Sequence, residues 1–457
     1  MAIIVGIVVG TSIFKVPPSI FSSAGSPGLG MTLWVAGGIL SLIGACCYAE
    51  LATAYPHSGG DYHYLTAAFG RPVGFLFGWA QLAVILTASI AQMAYVFADY
   101  ADKIYPLGNA GSLATAIAVV MVLTAVNLLG VASGKWTQNV LTLAKVAGLL
   151  AIIAAGLFLV LQGATADASP SATSTASETS ASPAIGLAMV FVLLAFGGWN
   201  DSAFVAAEVH HPSRNIPRAL WVGLGSITAL YLLVNLAYLG GLGFAGLKQS
   251  SAPAADLLQR ATGISGKVAM SVLVMISAAG AINGMILTGA RVYARLGEDH
   301  ALFAWLGRWN HRLRTPTRSL TAQALVSSAM ILIVGSQSGR DLVDAGVRLV
   351  GVDGLPWDQY FGGFETLVAG TAPVFWGFFL STGIAFFVLR WKDPHTPRPF
   401  RVPLFPLTPL VFCLMCAYML YSSILYAQGI SAIGLVPLVI GVPLYAVSQW
   451  RAGRRVG

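Results

Sequence analysis

Two long apolar stretches of the chain are interrupted at their middles by glycine-centred runs. The first reads Val9-Gly10-Thr11-Ser12-Ile13-Phe14 and the second Leu194-Ala195-Phe196-Gly197-Gly198-Trp199-Asn200. A helix stopped at bilayer depth leaves backbone N–H and C=O groups unpaired, which is tolerated only against protein or a wet cavity. The first run predicts a helix that stops near Val9–Gly10 and restarts near Phe14. The restarted half then aims free N–H groups and a partial positive charge at the membrane centre, which suits a carboxylate. The halves that end at the first break and near Ala195–Phe196 expose carbonyls, which suit an ammonium group. Together the two ends match the zwitterionic head of an α-amino acid through main chain alone, and glycine permits that close approach. The candidate binding residues are therefore Gly10, Thr11, Ser12, Ile13, Leu194, Ala195, Phe196, Gly197, Trp199 and Asn200, with Asn283 added from the eighth apolar segment. Such glycines also let membrane helices pack closely. Two breaks at corresponding positions of two halves favour a transport site over packing alone.

The elements that must position these runs follow from composition. The 457 residues are 56% hydrophobic and 9% charged, against about 25% charged in a soluble domain. At ~20 apolar residues per span the chain holds about twelve helices, so the expected class is an all-α membrane protein with 12 transmembrane helices. The spans are expected at roughly 1–24, 30–55, 74–104, 111–131, 136–162, 184–208, 217–242, 268–295, 319–336, 361–390, 404–427 and 430–450. Residues 1–163 form a first repeat of five spans and 184–390 a second. An odd number of spans per repeat inverts the second, so the two broken helices enter from opposite sides. Residues 391–457 carry the last two spans and a cytoplasmic tail. Between the repeats, the Ser/Thr/Ala-rich stretch 164–183 reads as a flexible external loop. The loop 337–360 is acidic and solvated, with room for a short helix, and the polar stretch 56–73 reads as an interfacial helix at the cytoplasmic mouth.

The net charge of +8 is a topology signal rather than a nucleic-acid signal. Seventeen of the 25 Lys and Arg fall in one set of alternate loops and the carboxyl tail, and six in the opposite loops, leaving Lys15 and Lys145 within spans. The positive-inside rule makes the basic side cytoplasmic, with both termini inside. The expected setting is the cell's inner (plasma) membrane, crossed many times.

In the order and spacing of its motifs the chain resembles the amino acid–polyamine–organocation (APC) superfamily, most closely its L-amino-acid transporter (LAT) family. The matching stretches are Gly6-Ile-Val-Val-Gly10-Thr-Ser-Ile-Phe14, Tyr55-Pro-His-Ser-Gly-Gly-Asp-Tyr-His-Tyr64 before Phe69-Gly70-Arg71, and Glu208-Val-His-His-Pro-Ser-Arg-Asn-Ile-Pro-Arg218. Further along come Ser277-Ala-Ala-Gly-Ala-Ile-Asn283-Gly284 with Arg291, and Arg398-Pro-Phe-Arg-Val-Pro403. The resemblance implies the LeuT fold with a 5+5 inverted repeat and discontinuous helices 1 and 6, alternating access and amino-acid substrates. Two departures stand out. Ser12 replaces the middle glycine of the family's first motif and narrows the pocket floor. Leu194 stands where the family often has an aromatic lid, a role open to Phe196 or Trp199.

Lys145 lies inside the fifth span, where a charge costs about 2.5–3.5 kcal/mol on insertion scales. The resemblance places it where sodium-coupled relatives bind an ion, so its ammonium is expected to stand in for that ion, bonding carbonyls near Gly6 and Gly10 and the Ser277 hydroxyl. Snorkelling toward Lys135 is the competing reading. Lys15 is read as lining the external route, and Glu208 with Arg214 or Arg218 as a cytoplasmic charge network. No carboxylate falls in the middle of segments 1, 3 or 8, which favours small to medium neutral amino acids over cationic ones.

Other classes of function find little support. The seven histidines lie at or near the cytoplasmic face and join no ligand pattern, and no phosphate loop of the Walker type is present. No cofactor, metal, catalytic residue or nucleic-acid partner is expected. Cys46, Cys47, Cys413 and Cys416 all sit in apolar spans, so no disulfide-linked partner subunit is expected either. The expected partners are amino-acid substrates and the lipid bilayer. The reading is a secondary transporter working by exchange, with a proton-coupled importer on the same fold as the alternative; an enzyme or a channel ranks below both.

Overall fold

The structure, a computed structural model, describes residues 11–56, 59–129, 135–163, 184–200, 212–310, 315–348, 354–357 and 362–453. These residues are helical almost throughout, and among them the one β-feature is an isolated bridge between Asn310 and Thr315. In chain order the helices are α1 (Pro17–Ala24), α2 (Pro27–Ala54), α3 (Asp61–Phe69), α4 (Arg71–Ala80), α5 (Leu86–Ile104), α6 (Gly108–Leu128), α7 (Lys135–Leu161) and α8 (Ile185–Ala195). They continue with α9 (Pro212–Gln249), α10 (Pro253–Thr262), α11 (Ile264–Asp299), α12 (Thr317–Gly335), α13 (Gln337–Arg348), α14 (Gly363–Lys392), α15 (Leu407–Ala427) and α16 (Ala432–Gly453). Among the described residues nine helical stretches are long and apolar enough to cross a membrane, the last of them, Leu407–Arg451, running through α15 and α16. The short apolar helix α8 and the broken start of the chain lie outside that set.

Most of the expected segments coincide with helices among the described residues, while the first and sixth (1–24 and 184–208) lie partly outside them. The seventh runs on to Gln249 with a kink at Gly243 (φ 72°), because glycine alone takes that backbone without strain. The stretch after it holds α10, which sequence periodicity did not separate from loop. The acidic loop 337–360 does contain a helix, α13, and the polar stretch 56–73 contains α3. The loop 164–183 lies outside the described residues. Between α4 and α5 the helix widens into one π-turn at Gln81–Ile85, and the Thr87 hydroxyl donates to the Leu82 carbonyl at 3.0 Å.

Helix α1 packs on α8, α2 on α9, α5 on α11 and α6 on α12. Small residues allow this. A Cβ on Gly37 would overlap Val192 of α8, and one on Gly38 would overlap Thr228 of α9. Helix α2 is thereby wedged between α8 and α9, the close approach that small residues give membrane helices.

Two carboxylates fix α2 and α3 against α14. Glu50 is buried and receives a bidentate pair from Arg390 (2.7 and 2.6 Å), with Arg398 at 3.5 Å and the Val402 amide at 2.7 Å. Asp61, at the first turn of α3, accepts hydroxyl bonds from Tyr48 of α2 (2.6 Å) and Thr382 of α14 (2.8 Å). Burial pushes the Asp61 carboxyl up to about 6, from an ordinary value of 3.8, against the two hydroxyl bonds, which favour the charged form. The folded chain therefore holds that proton more tightly than the unfolded one. Stability from this group is complete below about 3.8 and is lost as pH rises through about 6. Asp61→Asn keeps an oxygen for both hydroxyls and is expected to remove that part of the pH dependence, flattening the thermal-unfolding midpoint of purified protein between those two pH values. A variant as pH-sensitive as the parent would show that another group controls the slope.

Candidate functional site

The first interruption is a 3₁₀ turn, Thr11–Phe14, whose four residues are all buried. The α-helix resumes later than expected, at Pro17 rather than near Phe14, because Pro17 and Pro18 fit the first helical turn and cannot sit further inside one. Those two residues have no N–H, so α1 offers no such donor at its first positions. Any amides that meet an anion there belong to the 3₁₀ turn. The Ser12 carbonyl accepts from the amides of Lys15 (2.9 Å) and Val16 (2.8 Å), and the Phe14 carbonyl accepts from the Tyr100 hydroxyl of α5 at 2.6 Å. The hydroxyls of Thr11 and Ser277 are 3.0 Å apart, which ties the turn to α11.

The second interruption follows α8, which ends at Ala195 as expected. The amides of Phe196 and Gly197 fold back onto the carbonyls of Val192 and Leu194 (both 3.1 Å), and Gly198 takes φ 98° to turn the chain away. A Cβ at Gly197 would stand 3.0 Å from the Leu194 carbonyl. The Ala195 carbonyl, an expected ammonium ligand, is reached by the Tyr231 hydroxyl of α9 at 3.3 Å.

Leu194 is half-buried and borders a cavity of about 50 Å³. Ile85, Ser89 and Gln92 face it from the π-turn and α5, and Thr371, Phe375 and Trp376 from α14. The two aromatic candidates for a lid point elsewhere. Phe196 is buried against Trp34 (5.8 Å between centroids) and Tyr231 (5.3 Å), while Trp199 packs on Tyr48 (5.1 Å) and Phe379 (5.8 Å). Leucine is thus the side chain of the second break that meets the cavity.

The remaining sequence candidates divide. Asn200 continues the turn after Trp199 and is half-buried. Asn283 accepts from the Asn127 amide at 2.7 Å, joining α11 to α6 rather than facing the cavity lining. Lys145 is buried on α7, and among the described residues its ammonium has no hydrogen bond or ion pair. The Ser277 hydroxyl, its expected partner, is engaged with Thr11. Gly6, Gly10, Asp201 and Glu208 lie outside the described residues; Arg214 and Arg218 are exposed.

Lys15 was legible as a charge near the break but not as a junction. Its side chain is buried, with the ammonium 2.7 Å from Asp99 of α5, 4.0 Å from Glu365 of α14 and 3.4 Å from the Ser251 carbonyl before α10. Lys103 of α5 meets Asp256 of α10 at 3.1 Å on the same side. Asp99 and Tyr100, adjacent on α5, therefore hold Lys15 and Phe14 together.

The Thr11–Phe14 turn packed against α8, with Leu194 of α8 on a cavity inside a bundle of apolar helices, fits a membrane transporter. The chain belongs to the amino acid permease family, whose sequence profile matches residues 1–445. It is similar to the large neutral amino acids transporter small subunit 2 of Mus musculus, at 30% identity over 97% of this chain and 78% of that protein. The Asc-type amino acid transporter 1 of Mus musculus is 30% identical over 98% of this chain and 80% of its own length. The b(0,+)-type amino acid transporter 1 of Mus musculus is 29% identical over 93% and 81%.

Removing one partner of a half-buried ion pair leaves the other charge less well matched, at a cost below that of a fully buried pair because Asp99 is partly exposed. Lys15→Met and Asp99→Asn are each expected to lower the unfolding midpoint, and the double variant to lose less than the sum, with a coupling of about 1–3 kcal/mol. Additive effects in thermal unfolding of the purified variants would mean that the pair contributes nothing as a pair.

Proposed function

We propose that the chain carries small to medium neutral L-amino acids across the cell's inner (plasma) membrane by alternating access, exchanging one amino acid for another. The observation that carries this reading is the packing of the Thr11–Phe14 turn against α8, which stops at Ala195 and places Leu194 on the cavity. Main-chain groups at those breaks would take the carboxylate and ammonium of the substrate, and the cavity its side chain. The relatives, an Asc-type amino acid transporter and a transporter of large neutral amino acids, support amino acids as the substrates. The contacts α1–α8, α2–α9, α5–α11 and α6–α12 support twelve spans built as a 5+5 inverted repeat of the LeuT type, because partners related by a pseudo-two-fold axis meet near it. In that topology both termini are cytoplasmic, and no disulfide-linked partner subunit is required, since the cysteines lie on α2 and α15.

Lys145 supplies the fixed charge of this mechanism. A Cβ on Gly148, one turn beyond Lys145 on α7, would meet Leu273 of α11. In the proposed topology α7 and α11 run in opposite directions. One turn back along α7 then matches one turn forward along α11, from Leu273 to Ser277, which brings Lys145 level with the Thr11–Ser277 contact. A buried amine without a described partner also favours a second reading, proton-coupled import, in which Lys145 exchanges a proton during the cycle.

Proteoliposomes separate the two readings. Exchange predicts uptake of labelled neutral amino acid only into vesicles loaded with unlabelled amino acid, with no response to an imposed pH gradient. Gradient-driven uptake into empty vesicles would favour the second reading, and no uptake under either condition would sink both. Lys145→Ala is expected to lose most of the uptake while inserting and purifying normally; parental kinetics in that variant would remove Lys145 from the mechanism.

A further inference from the structure

Three polar side chains line the cavity beside Leu194, and two of them are already committed to their own helices. The Ser89 hydroxyl donates to the Ile85 carbonyl at 2.9 Å, and the Thr371 hydroxyl donates to the Leu367 carbonyl at 2.7 Å. Gln92 is different. It is 4% exposed, it faces the cavity, and no group among the described residues hydrogen-bonds its carboxamide. The other walls are apolar: Ile85, Val190, Leu194, Phe375 and Trp376. An amide left unpaired in such surroundings keeps the cost of removing its polar groups from water without a compensating hydrogen bond. A ligand group that pairs with it recovers that free energy, and one that cannot pair does not.

We propose that Gln92 is a specificity-determining residue that selects substrates with a short hydrogen-bonding side chain, a hydroxyl or a carboxamide, over apolar side chains of the same shape. The inference rests on the transport reading and narrows its substrate class. The amide presents both a donor and an acceptor, so it pairs equally with a hydroxyl and with another amide. The cavity of about 50 Å³ is several times the ~10–15 Å³ that one water occupies, which admits a short side chain and not an aromatic one. Leu194 at the rim adds no polar atom. Gln92 lies one turn past Ser89 on α5, and the π-turn beneath them ends at Ile85, so the three residues form one stripe along the helix. The charge of the substrate head is handled elsewhere, at the two breaks, which leaves this amide to discriminate among side chains.

Matched pairs of amino acids test the inference: threonine against valine, and serine against 2-aminobutyrate. Each pair differs by a hydroxyl for a methyl at nearly constant volume. For the parental protein in proteoliposomes, competition with labelled substrate is expected to favour the hydroxyl member of each pair by about tenfold, a factor equal to about 1.4 kcal/mol, within the range for one recovered hydrogen bond. Thermal stabilisation of the purified protein by the same four compounds gives a second reading that needs no variant. Gln92→Met keeps the length of the side chain and removes both polar groups. It is expected to bring each ratio to about one or below while transport of the apolar member is retained. An unchanged ratio in Gln92→Met, or equal handling of both members by the parental protein, overturns the role of Gln92 and leaves the transport reading standing. No response to any of the four compounds or to other neutral amino acids overturns both.

Discussion

Everything in this fold depends on how the main chain is satisfied at the Thr11–Phe14 turn and at the end of α8, inside a bundle of apolar helices. Unpaired amides and carbonyls there have no water to turn to. The structure meets part of the demand with neutral hydroxyls brought from surrounding helices: Tyr100 of α5 at the Phe14 carbonyl and Tyr231 of α9 at the Ala195 carbonyl. Each such bond is worth only about 0.5–1.5 kcal/mol net. Bonds of that size hold a break in place and are still exchangeable for bonds to a substrate head, which a charged pair at the same points would not be.

The cavity follows from helical periodicity. Val190 and Leu194 lie one turn apart on α8, Thr371 and Phe375 one turn apart on α14, and Ser89 and Gln92 one turn apart on α5. Three stripes of this kind face one another, and around them the packing is closed by aromatic pairs and glycines. Phe375 stacks on Phe379 at 4.4 Å, and Gly37 lets α2 come close enough to α8 for Phe196 to be buried against Trp34. The space left open beside Leu194 is therefore bordered by residues whose neighbours are tightly packed.

The breaks themselves were legible, because a glycine run in an apolar stretch is a local signal. So were the spans, since hydropathy reports each one separately. Pairings across the chain were not. Lys15 and Asp99 are 84 residues apart and Arg390 and Glu50 are 340 apart, and no local pattern marks either pair. The delayed restart at Pro17 was visible in principle, since two consecutive prolines fix the first helical turn and remove its donors. Phe196 and Trp199 were ambiguous because a one-residue turn at Gly198 decides which way each ring points. Gln92 drew no notice at all: a glutamine in a membrane helix is unremarkable until its neighbours prove to have spent their own hydrogen bonds.

The two buried ion clusters differ in what they join, and that difference gives the fold a fixed side and a releasable one. Glu50 takes Arg390, Arg398 and the Val402 amide, so its charge is matched twice over and every partner comes from α14 or the chain just beyond it. Dissolving that cluster would strand a carboxylate at 2% exposure, a penalty too large for a step repeated in every cycle. At Lys15 one ammonium is shared between two carboxylates, the second at 4.0 Å, and Asp99 keeps 32% of its side chain exposed. Solvent can therefore take over the Asp99 charge when the pair opens, and the desolvation penalty falls accordingly. Lys15 directly follows the Thr11–Phe14 turn, whereas Glu50 sits about one turn from the end of the continuous helix α2. A movement that separates α1 from α5 would thus break the cheaper cluster and leave the costlier one intact.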